Sequence, residues 1–269
     1  ATGILLKSTI FDLLRICGLS NDKRLINFLN LQLKLYSQED VYKTAALYGS
    51  TVLQISQQPH GLWHLKQSMQ VLSQTLEDSL KKTGANIVFG QKVDSINFDD
   101  VKKSWKVCAI SKQENIDYYA DDVIYTPPPQ SLLKHLGGSL DKNYDYKNRL
   151  QSLPNPSGAL VFYSALKKEH IQSISSNHYQ FISKELGSLF VSISEDGDGR
   201  APRGEVTLIA SLFTKTKDWF NLEKHEYIDK KKEYIQKISL ALESQFDIAS
   251  QNWLHKELAT PLGFERWTN

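Results

Sequence analysis

The sequence predicts an α+β fold, in which an antiparallel or mixed sheet with helices is attached to an incomplete α/β layer. Three observations predict it. Apolar residues recur at helical spacing through residues 4–56. Between residues 157 and 213 the period changes to that of strands, in four segments joined by turns, and a long helix follows. Between these regions, a helix is followed by two short apolar runs with a hairpin between them, the order of an α/β arrangement. Three divisions follow: a helical part (1–58), a partial α/β layer (59–126) and a sheet-plus-helix part (127–269).

In the first division, Leu5, Leu6, Ile10, Leu13, Leu14 and Cys17 make one apolar helix face, and Gly18 supplies the stop. Asn21-Asp22 can cap a second helix carrying Leu25, Ile26, Phe28, Leu29, Leu31, Leu33 and Leu35. That helix is apolar almost all round, which implies burial on several sides or a wall for an apolar ligand; core packing is the plainer reading. Gln38-Glu39-Asp40 marks a break before a third helix, Val41 to Ile55.

In the second division, Leu65, Met69, Leu72, Leu76 and Leu80 fall at helical spacing, so one stripe is expected to face a core. Gly84 stands where a helix end favours a left-handed residue. Ile87-Val88-Phe89 and Val123-Ile124-Tyr125 read as buried strands, with a turn and the hairpin SWKVCAI…ENIDYYA between them. Pro127-Pro128-Pro129 stops the second run and reads as a domain-crossing linker.

In the third division, short helices are expected at Ser131–Leu136 and Tyr144–Leu153. Strands are expected at Ser157–Lys167, His178–Ile182, Ser188–Ser194 and Glu205–Phe213. Glu223 to Phe246 is the longest helix, and its run KHEYIDKKKEY reads as a solvated face. Asn252 to Leu258 reads as a last strand before ATPLGFERWTN.

Composition narrows the function. The 269 residues are 41% hydrophobic and 23% charged, ordinary for a folded chain long enough to bury a sizeable core. A net charge of +2 argues against a nucleic-acid partner. No apolar run is long enough to cross a bilayer, and ATGILLKSTIFDLLRICG lacks the pattern of a signal peptide. Cys17 and Cys108 have no metal spacing and read as buried thiols in a reducing, cytoplasmic compartment. A start at Ala1 without methionine, and a stop just after an apparent motif, read as cuts at both ends.

Several motifs can be weighed on their residues alone. His60 and His64 stand four apart, but Pro59 and Gly61 favour a loop and no third ligand is near, so no metal site is assigned. SEDGDGRAPRGE, Ser194 to Glu205, almost fits a calcium loop, with Asp196, Asp198, Gly199 and Glu205 in register. Ser194 at the first position, Pro202 and the flanking strands favour a hairpin connection. There is no G-x-S-x-G elbow, no cysteine beside a basic partner and no phosphate-cradling loop. No catalytic residue is assigned.

The order P-x-G…L…G, V-x-x-I, hairpin and A-D-x-V-I-x-x-x-P resembles the middle of FAD-dependent carotenoid desaturases, members of the amine-oxidase-like flavoprotein superfamily. PHGLWHLKQSMQVLSQTL is similar to the 3,4-desaturase, methoxyneurosporene dehydrogenase-like branch. SLFVSISEDGDGRAPRGEVTLIASLFT and the terminal TP-x-x-F-E-R-x-T resemble the same enzymes.

The resemblance implies a phytoene dehydrogenase-like oxidoreductase of carotenoid biosynthesis. Two hydrogens would leave a saturated C–C bond of a long polyene, a hydride passing to FAD and a proton leaving the neighbouring carbon. Carotenoid cis–trans isomerases and retinol-type saturases share the scaffold. A non-catalytic carrier of apolar ligands is the alternative of another class.

Residue roles follow from the same resemblance. The backbone of Val93, in KVDSI, would contact the adenine end of FAD. His60, Trp63 and His64 would border the active site, and Gln67 stands where the family usually has Gly. Arg266, beside Glu265, would be either a site border or half of a structural salt link. The helices of 4–56 and the sheet of 157–213 would form the substrate wall. The dinucleotide signature G-x-G-x-x-G does not occur in the chain, so the chain alone is expected to hold FAD weakly or not at all. A substrate this insoluble implies peripheral membrane contact of the intact enzyme.

Overall fold

The computed structural model describes all residues except 1, 56–64, 113, 137–142, 155–156, 172–173 and 269. The chain divides into two compact units. The first comprises Ala1–Val71 with Pro156–Asn269, and the second is Leu72–Asn155.

The first unit opens with helices α1 (Thr2–Lys7), α2 (Ile10–Ile16), α3 (Lys23–Tyr36) and α4 (Ala46–Ile55). The single helix expected over residues 5–17 is broken at Ser8-Thr9. Thr9 caps α2 reciprocally: its amide donates to the Asp12 carboxylate at 2.9 Å, and the Asp12 amide donates to its hydroxyl at 3.2 Å. Gly18, at φ 72°, ends the helix as expected. Cys17 is the C-cap residue and is exposed, whereas Cys108 is half-buried. The reading of Cys17 as a buried thiol is therefore corrected, because a residue at a helix end leaves the apolar stripe.

Asp22 caps α3 through the amides of Arg24 and Leu25. Burial on α3 is one-sided: Ile26 and Leu33 are buried and Phe28 is 58% exposed. They pack with Ile10, Leu14, Val41 and Val52 in a small helical core. The third helix starts five residues later than the pattern predicts. Residues 41–44 instead make a turn, held by the Val41 amide on Asn30 Oδ1 and the Tyr42 amide on Asp40 Oδ1. A Cβ at Gly49 would lie 2.6 Å from Ile10 Cγ1, so only glycine lets α4 approach α2 this closely.

The unit's larger core lies under a five-stranded antiparallel sheet. Strands β4 (Ser157–Lys167), β5 (His178–Ser183), β6 (Gly187–Ile193), β7 (Glu205–Lys215) and β8 (Trp253–Ala259) are arranged β5-β6-β7-β4-β8. All five match the predicted segments to within two residues, and on β4, β6 and β7 alternation with one buried face fixes both period and register. Leu160, Phe162 and Leu166 of β4 share the buried face with Leu208, Ala210 and Leu212 of β7, and with Leu189 and Val191 of β6. Helix α9 (Lys224–Phe246) covers that face with Ile238, Leu242 and Phe246, and Asp247 at φ 54° caps its end. Its basic run faces solvent, as expected, with exposed pairs such as Lys232–Asp229. Short α8 (Lys217–Phe220) buries Trp219, whose indole N–H donates to Thr214 Oγ1 at 3.0 Å. Helix α10 (Pro261–Thr268) follows β8.

The second unit contains α5 (Gln70–Lys82, from Leu72 onward), the antiparallel meander β1 (Lys92–Asp99), β2 (Ser104–Ser111) and β3 (Glu114–Ala120), and helices α6 (Leu132–Leu136) and α7 (Tyr144–Gln151). The meander fulfils the predicted turn and hairpin. Two other expectations fail. Ile87–Phe89 and Val123–Tyr125 are not strands, and the stripe Leu72, Leu76, Leu80 is 46–58% exposed. Strands need neighbours to accept their hydrogen bonds, and among the described residues none lies beside either run. The run Pro127–Pro129 lies within this unit, where Tyr125 Oη bonds Ser131 Oγ at 2.7 Å and His135 Nδ1 at 2.9 Å. Among the described residues, no helix is long and apolar enough to cross a membrane.

Candidate functional site

The sheet of the first unit has two unlike faces, because alternate residues point opposite ways. Opposite the α9 side, the register aligns Gln180, Phe190, Ser211, Val161 and Ala259 in one row across all five strands. The next row is His178, Ser192, Ile209, Tyr163 and Glu257. Phe190, Ile209 and Val161 are half-buried, and Tyr163 is 39% exposed. Imidazole His178 stacks on Phe190 at 5.8 Å between centroids.

Helix α3 stands over the β5–β6 end of this face. Gln180 on β5 donates to the Leu31 carbonyl and to Ser188 Oγ at 3.4 Å, and accepts from Gln32 Nε2 at 3.2 Å. One glutamine amide thus ties the sheet to the helix. The result is a mixed face, on which Val161, Phe190, Ile209 and Ala259 lie among Gln180, His178, Ser192, Ser211 and Glu257, with a largely apolar helix along one side.

Two clefts open elsewhere on this unit. One, of about 350 Å³, has an apolar floor of Ile171, Ile174, Ile193 and Val206. Its polar rim is already paired: Lys168 with Asp196 at 3.5 Å, and Asn177 Nδ2 with Glu195 at 2.8 Å. The other, of about 400 Å³, lies among Tyr36, Gln38, Lys43, Thr44, Tyr48 and Ser157.

The loop between β6 and β7 is a hairpin connection, as the sequence predicts. Its carboxylates hold the loop itself: Asp196 accepts from the Gly204 amide at 3.0 Å, and Asp198 accepts from the amides of Glu195 and Arg200. The Gly204 amide, with Lys168 beside it, holds the Asp196 carboxyl below the usual carboxylate range. These side chains are committed to protein donors, and among the described residues no cluster of His, Cys, Asp or Glu could hold a metal ion.

From the far side of the same loop, Arg200 reaches residues 65–67. Its guanidinium donates to the Leu65 carbonyl at 2.9 Å and to the Gln67 carbonyl, and pairs with Asp198 at 3.5 Å. The Gln67 amide donates to the Asp198 carbonyl at 2.8 Å. Gln67 adopts φ 73°, the left-handed region that glycine enters freely and a Cβ disfavours. Its side chain packs where a Cβ on Gly199 would stand, 3.3 Å from Gln67 Cγ.

The sequence-predicted site residues fall in different places. His60, Trp63 and His64 lie outside the described residues. Val93 is half-buried on β1, an edge strand of the meander, beside a bulge that shifts register between Val93 and Ser95. Arg266 is exposed in the last turn of α10, and among the described residues neither it nor Glu265 makes an ion pair. Cys108 is held above the usual thiol range by burial and by its hydrogen bond to Asp117. Sequence reading missed Gln180 and Arg200. Each acts on a segment more than 130 positions away, and nothing local marks it.

For FAD, the second unit offers edge strand β1 with Val93. No described loop runs from a strand into a helix with the glycines that cradle a pyrophosphate. The described residues therefore do not make a flavin site by themselves.

No family model matches the sequence, and no curated protein does either. Solved structures do match. A protein from Pyrococcus furiosus superposes with a TM-score of 0.66 at 15% identity, over 94% of this chain and 57% of its own. An oxidoreductase from Methanosarcina mazei gives 0.64 at 12%, over 94% and 56%. A double mutant of putrescine oxidase, redesigned in its cofactor binding, gives 0.62 at 14%, over 94% and 54%. The chain thus spans little more than half the length of the structures it matches. What it shares with them is the fold alone, an α+β arrangement of helices and antiparallel sheets.

Proposed function

We propose that this chain is the substrate-holding portion of a flavin-dependent oxidoreductase acting on a long polyene, a carotenoid desaturase of the 3,4-desaturase type. The observation that carries the reading is the second face of the five-stranded sheet. There Val161, Phe190 and Ile209 supply apolar area beside α3, on a fold shared with a solved oxidoreductase. Gln67 adds support. Its φ of 73° is a glycine conformation at the position where the resembled desaturases carry glycine. In this reading FAD belongs to the intact protein, with Val93 contributing to its adenine end, and the chain's own task is to bind and orient the polyene away from water. His60, Trp63, His64 and Arg266 are assigned to the border of that site. The intact enzyme is cytoplasmic and touches the membrane peripherally, because its substrate resides there.

The test feeds linear carotenoids to the intact enzyme and follows the visible spectrum. A longer chromophore is the expected result. An unchanged chromophore with altered cis bands replaces desaturation with isomerisation, and a shortened one replaces it with saturation. If the chain purifies with stoichiometric yellow flavin, the division of labour between chain and cofactor is wrong.

A further inference from the structure

We infer that Gln180 is a positioning residue that sets where α3 stands over the open face of the sheet, and so how much of that face a ligand can occupy; the inference rests on the proposed function for its meaning. The helical core and the sheet core share no residue, the first being built from residues 10–53 and the second from 160–258. Neither core therefore fixes one layer against the other. Gln180 crosses between them, on the side of β5 opposite to Tyr179 and Phe181, which pack into the sheet core.

Both ends of its amide are used. Nε2 donates to the Leu31 carbonyl and to Ser188 Oγ at 3.4 Å, and Oε1 accepts from Gln32 Nε2 at 3.2 Å. The Leu31 carbonyl lies inside α3, where the helix claims one of its lone pairs, and Gln180 takes the other. One side chain, steadied by Ser188 on β6, thus holds two successive residues of α3. Apolar contact is non-directional, whereas a satisfied hydrogen-bond network specifies one arrangement. A glutamate here would have no donor for the Leu31 carbonyl, and a leucine neither donor nor acceptor. Phe28 and Leu35 stand four residues before and three after Gln32, so they share the side of α3 that Gln180 holds. Phe28, 58% exposed, is therefore carried to the border of the open face, and its place there follows from Gln180. A second tie, from the Ser157 hydroxyl on β4 to Gln38 Oε1, joins the chain just beyond α3 to the sheet. With Gln180 removed, that tie keeps the helical layer attached but free to tilt.

The test uses the full 269-residue chain in a C17S/C108S background, with spin labels at N27C on α3 and K256C on β8, both exposed positions. With Gln180 in place the pair should give one narrow distance. Q180L should broaden or shift it, the displaced population rising about tenfold or more as these hydrogen bonds are lost. A K184C/K256C pair, which reports the sheet alone, should not change. Q32L should do less than Q180L, and Q180L/Q32L no more than Q180L, because Gln180 carries both ties to α3. With lycopene, a linear polyene, delivered in detergent micelles, Q180L should bind about tenfold more weakly. Unchanged distances in Q180L would overturn the inference. Widened distances with unchanged lycopene affinity reduce Gln180 to a structural tie and overturn it too. Should Q180L lose the fluorescence of folded Trp219 and Trp253, Q180N is read instead. Its amide is one methylene short of α3, and an unchanged distance in folded Q180N likewise overturns the inference. If the chain with Gln180 intact takes up no lycopene, the polyene reading fails, while the distances still decide whether Gln180 sets α3.

Discussion

Replacing Ser239 with alanine should stabilise the first unit. Ser239 lies on the sheet-facing side of α9 among Ile238, Leu242 and Phe246, is 4% exposed, and its Oγ is buried without a hydrogen-bond partner among the described residues. An unsatisfied buried hydroxyl costs about 1–3 kcal/mol, while the oxygen's removal leaves a cavity too small to offset that. Alanine also has the higher helix propensity, by a few tenths of a kcal/mol. A net gain of about 1–2 kcal/mol follows. In a unit of this size it should raise the melting temperature by about 2–8 °C. Urea titration followed by the fluorescence of Trp219 and Trp253, which both belong to this core, measures it directly. The midpoint should rise with an unchanged slope. A neutral or destabilising result would mean that the hydroxyl makes a bond, and the account of the α9 face as a dry, purely apolar seam would fall.

Neighbouring residues of β7 should separate the two faces of the sheet. Leu208→Ala, at a fully buried position, should cost about 2–5 kcal/mol, whereas half-buried Ile209→Ala should cost less than half as much and weaken polyene retention instead; urea titration and ligand extraction read the two. Acid should loosen the β6–β7 loop. Asp196 has its folded pKa depressed, first by the Gly204 amide, so its contribution is present above the unfolded carboxylate value of about 3.9 and is lost as pH falls through the folded value. D196N should shrink that acid loss while lowering stability near neutrality, as thermal melts between pH 7 and pH 3 would show. Of the two thiols, exposed Cys17 should react quickly with a disulfide reagent and Cys108 slowly, because burial and Asp117 keep the latter protonated. Timed labelling of C17S and C108S variants distinguishes them.

What was legible in the sequence follows from which interactions are local. Strands β4 and β7 announce themselves because Leu160, Phe162 and Leu166, like Val206, Leu208, Ala210 and Leu212, fall on the alternate positions that make one buried face. The cap at Asp22 and the stop at Gly18 were readable for the same reason. The break at Thr9 was missed because a capping box inside an apolar stripe does not alter its periodicity. Ile87–Phe89 and Val123–Tyr125 have strand composition, but composition supplies no partner, and pairing decides. In the site, the resemblance drew attention to Gln67, whereas Arg200 and Gln180 were invisible because their partners lie half a chain away.

The two units differ in how far their own residues account for their stability. In the first, seventeen buried residues form the core beneath the sheet, and a second cluster ties the helices together. In the second, the buried apolar residues among those described are Ile96, Ala109 and Leu150, while Leu72, Leu76, Leu80, Val88, Phe89 and Ile124 are all at least 46% exposed. Exposed large apolar groups in that number are the mark of a surface made to be covered. They lie along one helix stripe and in two runs with strand composition, which is the geometry that a further sheet layer packs against. The first unit thus carries its own core, while the described residues of the second leave an apolar helix stripe and two apolar runs exposed.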